Sequence, residues 1–213
     1  MATPLSSQPP SRAAPGEASP GAPRQNAPAY KSPGAVALFA VTAVAGAALD
    51  LLTKHLVFSA LGNAPERTAK ALPGVFQFAL TTNPGIVFGI QVPPAAVLLA
   101  TLAAAAAVVY LFASSPRRAW PLHLGLGMVI GGAAGNAYDR MFSSVSFPGE
   151  AHRHLCEVRD FIEFIPRTKT FSWPVFNVAD VLLVAGVGLI LLFMLTRRPA
   201  SQPGESAKPR RGR

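Results

Sequence analysis

The residues most able to do chemistry are the four aspartates of the chain: Asp50, Asp139, Asp160 and Asp180. Three of them lie at the ends of long apolar stretches, and Asp160 lies in a mixed apolar and acidic segment between the last two stretches. An ionisable group at the end of a membrane helix is costly to bury and is therefore a candidate for function. Further polar side chains accompany the aspartates at short spacings: Lys54, Asn136, Arg140 and Asn177. For any single one of these residues, a purely structural role is at least as good an explanation. That explanation is weaker if polar residues lie at the same membrane depth at the ends of three helices.

Two of these carboxylates, brought close together, would supply an acid and a base without a cofactor. Like charges a few ångströms apart cannot both be ionised, so one pKa rises and the pair shares a proton. The ionised member can then take a proton from water while the protonated member donates a hydrogen bond to a substrate carbonyl. This is the chemistry of an aspartyl peptidase. Spacing alone leaves open which two of the four aspartates form the pair.

Four apolar stretches must position these groups. They comprise residues 35–57, 94–113, 122–138 and 178–196. A helix needs about 20 apolar residues to cross about 30 Å of hydrocarbon, and each stretch reaches or approaches that length. The third stretch is the shortest, and its small residues at 131–135 suit close helix packing in lipid. We therefore expect an all-α polytopic membrane protein with four transmembrane helices.

The charge distribution orients these helices. Only 14% of the residues are charged and the mean hydropathy is +0.34, whereas soluble domains carry about 25% charged residues. The net charge of +9 arises entirely from residues 1–34, 114–121 and 197–213, which hold 11 basic and two acidic residues. The positive-inside rule then places both termini in the cytoplasm and residues 58–93 and 141–177 outside. The basic charge thus indicates topology and contact with membrane lipids, and no nucleic acid is expected as a partner.

The composition also divides the chain into a central domain and two tails. Residues 1–34 hold eight prolines and no long apolar run, which is typical of a disordered tail. Residues 197–213 form a second, basic tail, so the membrane domain is expected at 35–196. Cys156 is the only cysteine, which excludes an intrachain disulfide and a multi-thiolate metal site.

Five short blocks in this domain resemble the motifs of the lipoprotein signal peptidase (signal peptidase II) family. These bacterial membrane aspartyl proteases remove signal peptides from diacylglyceryl-modified prolipoproteins. In chain order the blocks are Asp50-Leu-Leu-Thr-Lys54, Thr82-Asn-Pro-Gly-Ile-Val-Phe-Gly89, Gly131-Gly-Ala-Ala-Gly-Asn-Ala-Tyr-Asp-Arg140, Val158-Arg-Asp-Phe-Ile162 and Phe176-Asn-Val-Ala-Asp180. Any one block is weak, but five in order, with four apolar stretches among them, form a specific signal.

The resemblance implies that Asp160 and Asp180 are the catalytic pair. It further implies that the site is lined by residues that position the lipid-modified substrate, namely Asn83, Asn136, Arg140 and Asn177. Supporting roles fall to Asp50, Lys54, Asp139, Gly85, Gly135, Phe176 and Ala179. Asp139 is the alternative candidate acid, but a structural salt bridge with its neighbour Arg140 is at least as good an explanation for it. Cleavage is expected N-terminal to the lipidated cysteine, with no metal or other cofactor.

The local sequence around the two acids suits this assignment. Asp180 enters a helix at its N-terminal end, where the macrodipole favours an ionised carboxylate. Asp160 lies among apolar residues, which should hold it protonated. Residues 74–82 alternate, with Phe76, Phe78 and Leu80 on one face, which predicts a short strand. The resemblance places this strand in a small extracytoplasmic β-cradle that holds the substrate.

One segment, residues 141–159, is longer than the family leads us to expect. It contains His152, His154 and Cys156, which would supply only three metal ligands, so we interpret the segment as a lid or surface elaboration.

Two other functions compete with that of a peptidase. A small transporter or proton-pathway protein would spread its polar residues through the bilayer depth. A membrane scaffold would leave the asparagines and aspartates unexplained. We therefore expect a monomeric inner-membrane peptidase with its active site at the outer face.

Overall fold

A computed structural model describes residues 27–85, 92–151, 153–165 and 173–196. These residues form a short 3₁₀ turn (Ala29–Lys31), four helices and five strands. The helices are α1 (Pro33–Leu61), α2 (Pro94–Ser114), α3 (Trp120–Phe142) and α4 (Val178–Thr196). The strands are β1 (Thr68–Leu72), β2 (Phe76–Asn83), β3 (Ser144–Val145), β4 (His154–Leu155) and β5 (Val158–Phe164). The four apolar stretches of the sequence are thus confirmed as helices.

Three of the helices in the described residues are long and apolar enough to cross a membrane: α1, the Ala95–Ser114 part of α2, and α4. The fourth, α3, has 23 residues and a length of about 35 Å. It carries several glycines and, towards its C-terminus, Asn136, Asp139 and Arg140. Length and composition therefore identify three candidate spans where the sequence predicted four.

Helix α3 lies at the centre of the bundle, packed between α1 and α4. Its glycines allow this packing, because a Cβ at Gly131 would lie 2.8 Å from the Ala43 carbonyl oxygen of α1. On the other side, a Cβ at Gly132 would lie 2.5 Å from the Ala179 carbonyl oxygen of α4. The close approach of three backbones brings the polar C-terminal turn of α3 between the other two helices.

A three-stranded antiparallel sheet in the order β1-β2-β5 lies at the C-terminal end of α1. The strand predicted at 74–82 is confirmed as β2. The register of β2 on β5 shifts between Phe78 and Thr81, so a bulge separates the two halves of β2. A bulge re-aims the residues that follow it, and here these are the residues that face Asp160. The 141–159 segment contains a two-stranded ribbon of β3 and β4, which the sequence did not predict.

The N-terminal boundary of the folded unit lies before residue 35. Part of the segment expected as a tail packs on the loop between α2 and α3, because Ala29 N–H donates to the Ser115 carbonyl at 2.8 Å. Ala29 is fully buried. Ser32 caps α1 by accepting a hydrogen bond from Ala35 N–H at 3.4 Å, and Pro33 occupies the first turn, where its missing N–H costs nothing. The rest of both expected tails lies outside the described residues.

Candidate active site

Asp180 is held by the start of its own helix. Asn177 N–H donates to Asp180 Oδ2 at 3.1 Å, and Asp180 N–H donates to Asn177 Oδ1 at 3.1 Å. This reciprocal pair at a spacing of three residues satisfies two N–H groups that the first turn would leave free. A carboxylate at this end of a helix is also favoured by the macrodipole. The local sequence Asn-Val-Ala-Asp therefore sets the position of one candidate acid.

Asp160, the other candidate acid, comes from β5 and is almost completely buried. Its Oδ1 accepts a hydrogen bond of 2.6 Å from Asn177 Nδ2. A short bridge makes this contact possible: Ile162 N–H donates to the Phe176 carbonyl at 2.8 Å, and Phe176 N–H donates to the Ile162 carbonyl at 3.0 Å. Phe176 thus holds the residues before α4 against β5. Asn177 in this way contacts both aspartates.

Asn136 of α3 joins the pair to the rest of the bundle. Its Nδ2 donates to Asp180 Oδ1 at 3.0 Å, while its Oδ1 accepts from Lys54 Nζ at 2.9 Å and from Asn177 Nδ2 at 3.1 Å. Because an ammonium group can only donate, Lys54 determines which end of the Asn136 amide is the oxygen. The two asparagines therefore present their N–H groups to the two aspartates in one defined orientation.

Lys54 is a fully buried cation with a partner for each of its three N–H bonds. Besides Asn136, it contacts Asp50 Oδ2 at 2.7 Å and Asp139 Oδ2 at 3.1 Å. Asp50 in turn accepts a hydrogen bond of 2.8 Å from the N–H of Ala179, one residue before Asp180. Gly135 leaves space for this arrangement, because a Cβ there would overlap the Asp50 carboxylate. A chain of contacts thus runs from Asn136 through Lys54 and Asp50 to Ala179, next to Asp180, and Gly135 leaves room for it.

The expected salt bridge between Asp139 and Arg140 is wrong. Asp139 pairs with Arg159, whose Nη2 and Nε lie 2.6 and 3.0 Å from Asp139 Oδ1. Consecutive residues of a helix do not face each other, which explains why Arg140 points elsewhere. Sequence reasoning missed Arg159, although strand alternation indicates that it faces away from its neighbour Asp160. Asp139 thus has two cationic partners, Lys54 and Arg159, and no exposed surface.

Arg140 instead holds the loop after β2. Its Nη2 donates to the Gly85 carbonyl at 3.0 Å, and Gly85 N–H donates to Asn83 Oδ1 at 3.0 Å. A cavity of about 480 Å³ opens beside this loop. It is lined by Thr81, Thr82, Asn83, Pro84, Asp160, Pro174 and Val175. The cavity gives a ligand access to Asp160; the part of the Thr82–Gly89 block beyond Gly85 lies outside the described residues.

The electrostatics give the two aspartates different roles. Burial, followed by the negative charge of Asp180, raises the pKa of Asp160 to about 7, although Asn177, Lys54 and Asn83 oppose the shift. This agrees with the protonated state expected from its apolar neighbours. Both oxygens of Asp180 accept hydrogen bonds, from Asn136 and Asn177, as suits an ionised carboxylate. The arrangement therefore offers a proton donor, Asp160, which lines the cavity, and a proton acceptor, Asp180, which is joined to Asp160 through Asn177.

The fold is similar to that of two solved structures. Both are described as a bacterial membrane enzyme determined by the in meso method, and each is 22% identical to this chain. The match to the first structure covers 81% of this chain and 99% of the other chain, with a TM-score of 0.62. The second covers 82% and 98% with a TM-score of 0.61.

Sequence comparison gives the family. The family model for signal peptidase (SPase) II matches residues 42–196. A lipoprotein signal peptidase of Rhodopirellula baltica is 35% identical over 159 residues, which are 73% of this chain and 70% of the relative. A lipoprotein signal peptidase of Chlorobaculum tepidum is 34% identical over 176 residues, which are 78% of this chain and all of the relative. The chain belongs to the signal peptidase II family.

Proposed function

We propose that this signal peptidase cleaves the signal peptides of bacterial prolipoproteins by aspartyl catalysis, with Asp160 and Asp180 as the catalytic pair. Membership of the family supports the reaction. The observation that carries the assignment of the residues is the position of Asn177, which donates a hydrogen bond to each of these two aspartates. Asp50 and Asp139, in contrast, both contact Lys54.

The geometry supports a direct attack by water. Asp180, ionised, takes a proton from a water molecule, and the water oxygen attacks the scissile carbonyl carbon. Asp160, protonated, gives its proton to the carbonyl oxygen, so that a neutral tetrahedral diol forms. When the diol collapses, the C–N bond electrons pass to nitrogen, Asp180 returns its proton to the leaving amine, and Asp160 recovers its own. Asn136 and Asn177 hold Asp180 in place throughout, and Asn177 also holds Asp160.

We further propose that α3 also spans the membrane, with both termini in the cytoplasm and the sheet at the outer face. The segments that carry the whole net charge, residues 1–34, 114–121 and 197–213, all fall on the cytoplasmic side of this topology, which supports it. The polar residues Asn136 and Asp139 of α3 are bonded inside the protein, so they do not present charge to lipid. Reporter fusions after Arg118 and after Gly149 should fall in opposite compartments. The same compartment for both would refute the topology.

The substrate is a prolipoprotein that carries its diacylglyceryl group, cleaved N-terminal to the lipidated cysteine by a monomeric enzyme. A site at the bilayer surface can contact the acyl chains of a substrate anchored in the same membrane and recognise them by packing. A transporter would need polar groups along its spans, whereas α2 has no charged residue.

A gel-shift assay of the detergent-solubilised protein tests the proposal. The lipid-modified prolipoprotein should be cleaved, the same chain without lipid should be cleaved poorly, and Asp180→Asn should cleave neither. Cleavage of both forms at equal rates would indicate a general peptidase, and activity in Asp180→Asn would exclude the proposed pair.

A further inference from the structure

His154 links the connection between α3 and β5 to the strand β2. It belongs to the connection between α3 and β5 (residues 143–157), which is longer than the sequence motifs on either side require. Its Nε2 lies 2.8 Å from Glu150 Oε2, and its Nδ1 lies 3.0 Å from Glu157 Oε2. The same Nδ1 lies 3.0 Å from Thr82 Oγ1 in β2. The His154 ring thus contacts Glu150 and Glu157 of the connection and Thr82 of strand β2.

The contacts of His154 depend on its protonation. A neutral imidazole has one N–H, whereas the protonated ring has two and can donate to both carboxylates at once. A further charged group at this position is Arg67 of the α1–β1 loop, which pairs with Glu150 and donates to the Pro148 carbonyl at 3.0 Å. The Phe147 ring lies between, 4.3 Å from the Arg67 guanidinium and with its centroid 5.5 Å from that of His154.

The two carboxylates determine the pH range of this contact. The hydrogen bond with Glu150, and then that with Glu157, raises the pKa of His154 above its ordinary value of 6.5. A raised pKa means that the stabilisation by the protonated ring is complete below 6.5 and is lost as the pH rises through the higher value. The contact therefore forms in mildly acidic solution and weakens in alkaline solution.

The joined strands form one wall of the proposed substrate cavity. The β2–β5 ladder ends where Asn83 pairs with Val158. Thr82 and Asn83 line the cavity beside Asp160, and Glu157 directly precedes Val158. The contacts of His154 with Thr82 and Glu157 therefore continue the link between the two strands beyond their last pair. Loss of this link would loosen the cavity wall without touching the catalytic pair.

We propose that His154 is a positioning residue: its protonated ring holds the end of β2 against the start of β5, so that substrate binding weakens when the ring loses its proton. The inference rests on the proposed function, because it takes the cavity beside Asp160 as the substrate site. It adds to that function a residue from a segment outside the family motifs.

Steady-state kinetics on the lipid-modified prolipoprotein, from about pH 5.5 to about pH 8.5, test the inference through the separation of KM from kcat. In the wild type, KM should rise severalfold as the pH increases through the raised pKa of His154, which lies above the ordinary value of 6.5. His154→Gln should show the high KM at every pH and keep the wild-type kcat. Arg153→Gln, which removes an exposed charge from the same segment, should follow the wild type. A KM profile of His154→Gln that matches the wild type, or a loss confined to kcat, would overturn the inference.

Hydrogen–deuterium exchange of the full chain in detergent gives a second test that needs no substrate. After correction for the intrinsic rate, the amides of residues 76–85 should exchange faster at about pH 8 than at about pH 6 in the wild type. In His154→Gln they should exchange at the faster rate at both. Equal protection in the two proteins would refute the role of His154 even if the enzyme were inactive. A wild type that cleaves no prolipoprotein but shows the exchange difference would refute only the proposed function.

Discussion

The two ends of the helical bundle bury different kinds of side chain. Near the N-terminus of α1, the rings of Phe39 and Phe112 stack with centroids 4.4 Å apart, and Leu126 is buried beside them. The polar groups buried there include Ser115 and His123, which are 2.9 Å apart and bonded to each other. At the opposite end, the buried side chains of the described residues include five charged or amide groups, which belong to the candidate active site: Asp50, Lys54, Asp139, Asp160 and Asn177.

The difference indicates what each end can tolerate. Apolar packing is non-directional, so an apolar end can accommodate a change of shape at modest cost. A buried polar network requires every donor and acceptor to find its partner, and the loss of one member leaves others unsatisfied. We therefore expect substitutions at the polar end to affect turnover and folding together, and substitutions at the apolar end to affect stability alone.

The largest effect is expected from the catalytic pair. Asp160→Asn and Asp180→Asn should each reduce turnover by at least about a thousandfold, because an amide can neither accept the proton from water nor donate one to the carbonyl. The double variant should be scarcely worse than either single one, since the two residues act as a unit. Single-turnover cleavage of the lipid-modified prolipoprotein measures this. Near wild-type rates in Asp160→Asn would show that the pair is assigned wrongly.

Removal of the buried cation should affect folding most. Lys54→Met leaves the buried Asp50 without its ionic partner, and breaking such a pair from one side costs about 3–5 kcal/mol. The thermal unfolding temperature in detergent should fall accordingly, and with it the yield. Asp50→Asn combined with Lys54→Met should recover part of the loss, because it removes the uncompensated charge. A double variant less stable than Lys54→Met would contradict this account.

Catalysis should also depend on the proton of Asp160. Since its pKa is raised to about 7, kcat should fall about tenfold for each pH unit above that value. The native state keeps this proton while the unfolded chain releases it near the ordinary value of 3.8, so the free energy of unfolding should decline as the pH rises between these values. The pH profile of kcat separates this effect from that of His154, which acts on KM. A kcat constant from about pH 6 to about pH 9 would contradict the proton assignment.

A smaller effect is expected from Gly135→Ala at the polar end. The added methyl would overlap the Asp50 carboxylate, and overpacking of this kind costs about 1–3 kcal/mol. Turnover should also fall, because Asp50 would shift away from Lys54 and Ala179. Gly188→Ala in α4 is the matched control, since its methyl would meet no atom within 4 Å. Equal stability of the two variants would show that the polar end is less tightly packed than the distances indicate.

The smallest effect on turnover is expected at the apolar end. Phe112→Leu should lower the free energy of unfolding by about 1–2 kcal/mol through lost ring packing. The kcat of the folded enzyme should not change, because no hydrogen bond of the active site passes through this residue. Thermal unfolding and kcat measured on the same preparation check both statements. A large loss of kcat would show that the two ends are coupled through the helices.

The sequence by itself determined the features that depend on neighbours along the chain. The apolar stretches became α1 to α4, the alternation at 74–82 became β2, and the Asn177–Asp180 spacing set one acid at a helix start. These features follow from local periodicity and from capping, which act within a few residues. The bulge in β2 and the β3–β4 ribbon have no such local signal, and they depend on pairing with distant strands.

The family resemblance implied a division of the four aspartates, but only the tertiary structure shows the contacts that divide them. Asn177 contacts Asp160 and Asp180, whereas Lys54 contacts Asp50 and Asp139. Spacing could not make this division, because all four side chains are carboxylates and their positions along the chain do not show which of them meet. Only the packing of α3 between α1 and α4 brings Lys54 beside Asp139 and carries Asn136 between the two groups. Long-range ion pairs depend on the direction in which each element presents its side chains, and the sequence does not specify that direction until the elements are packed.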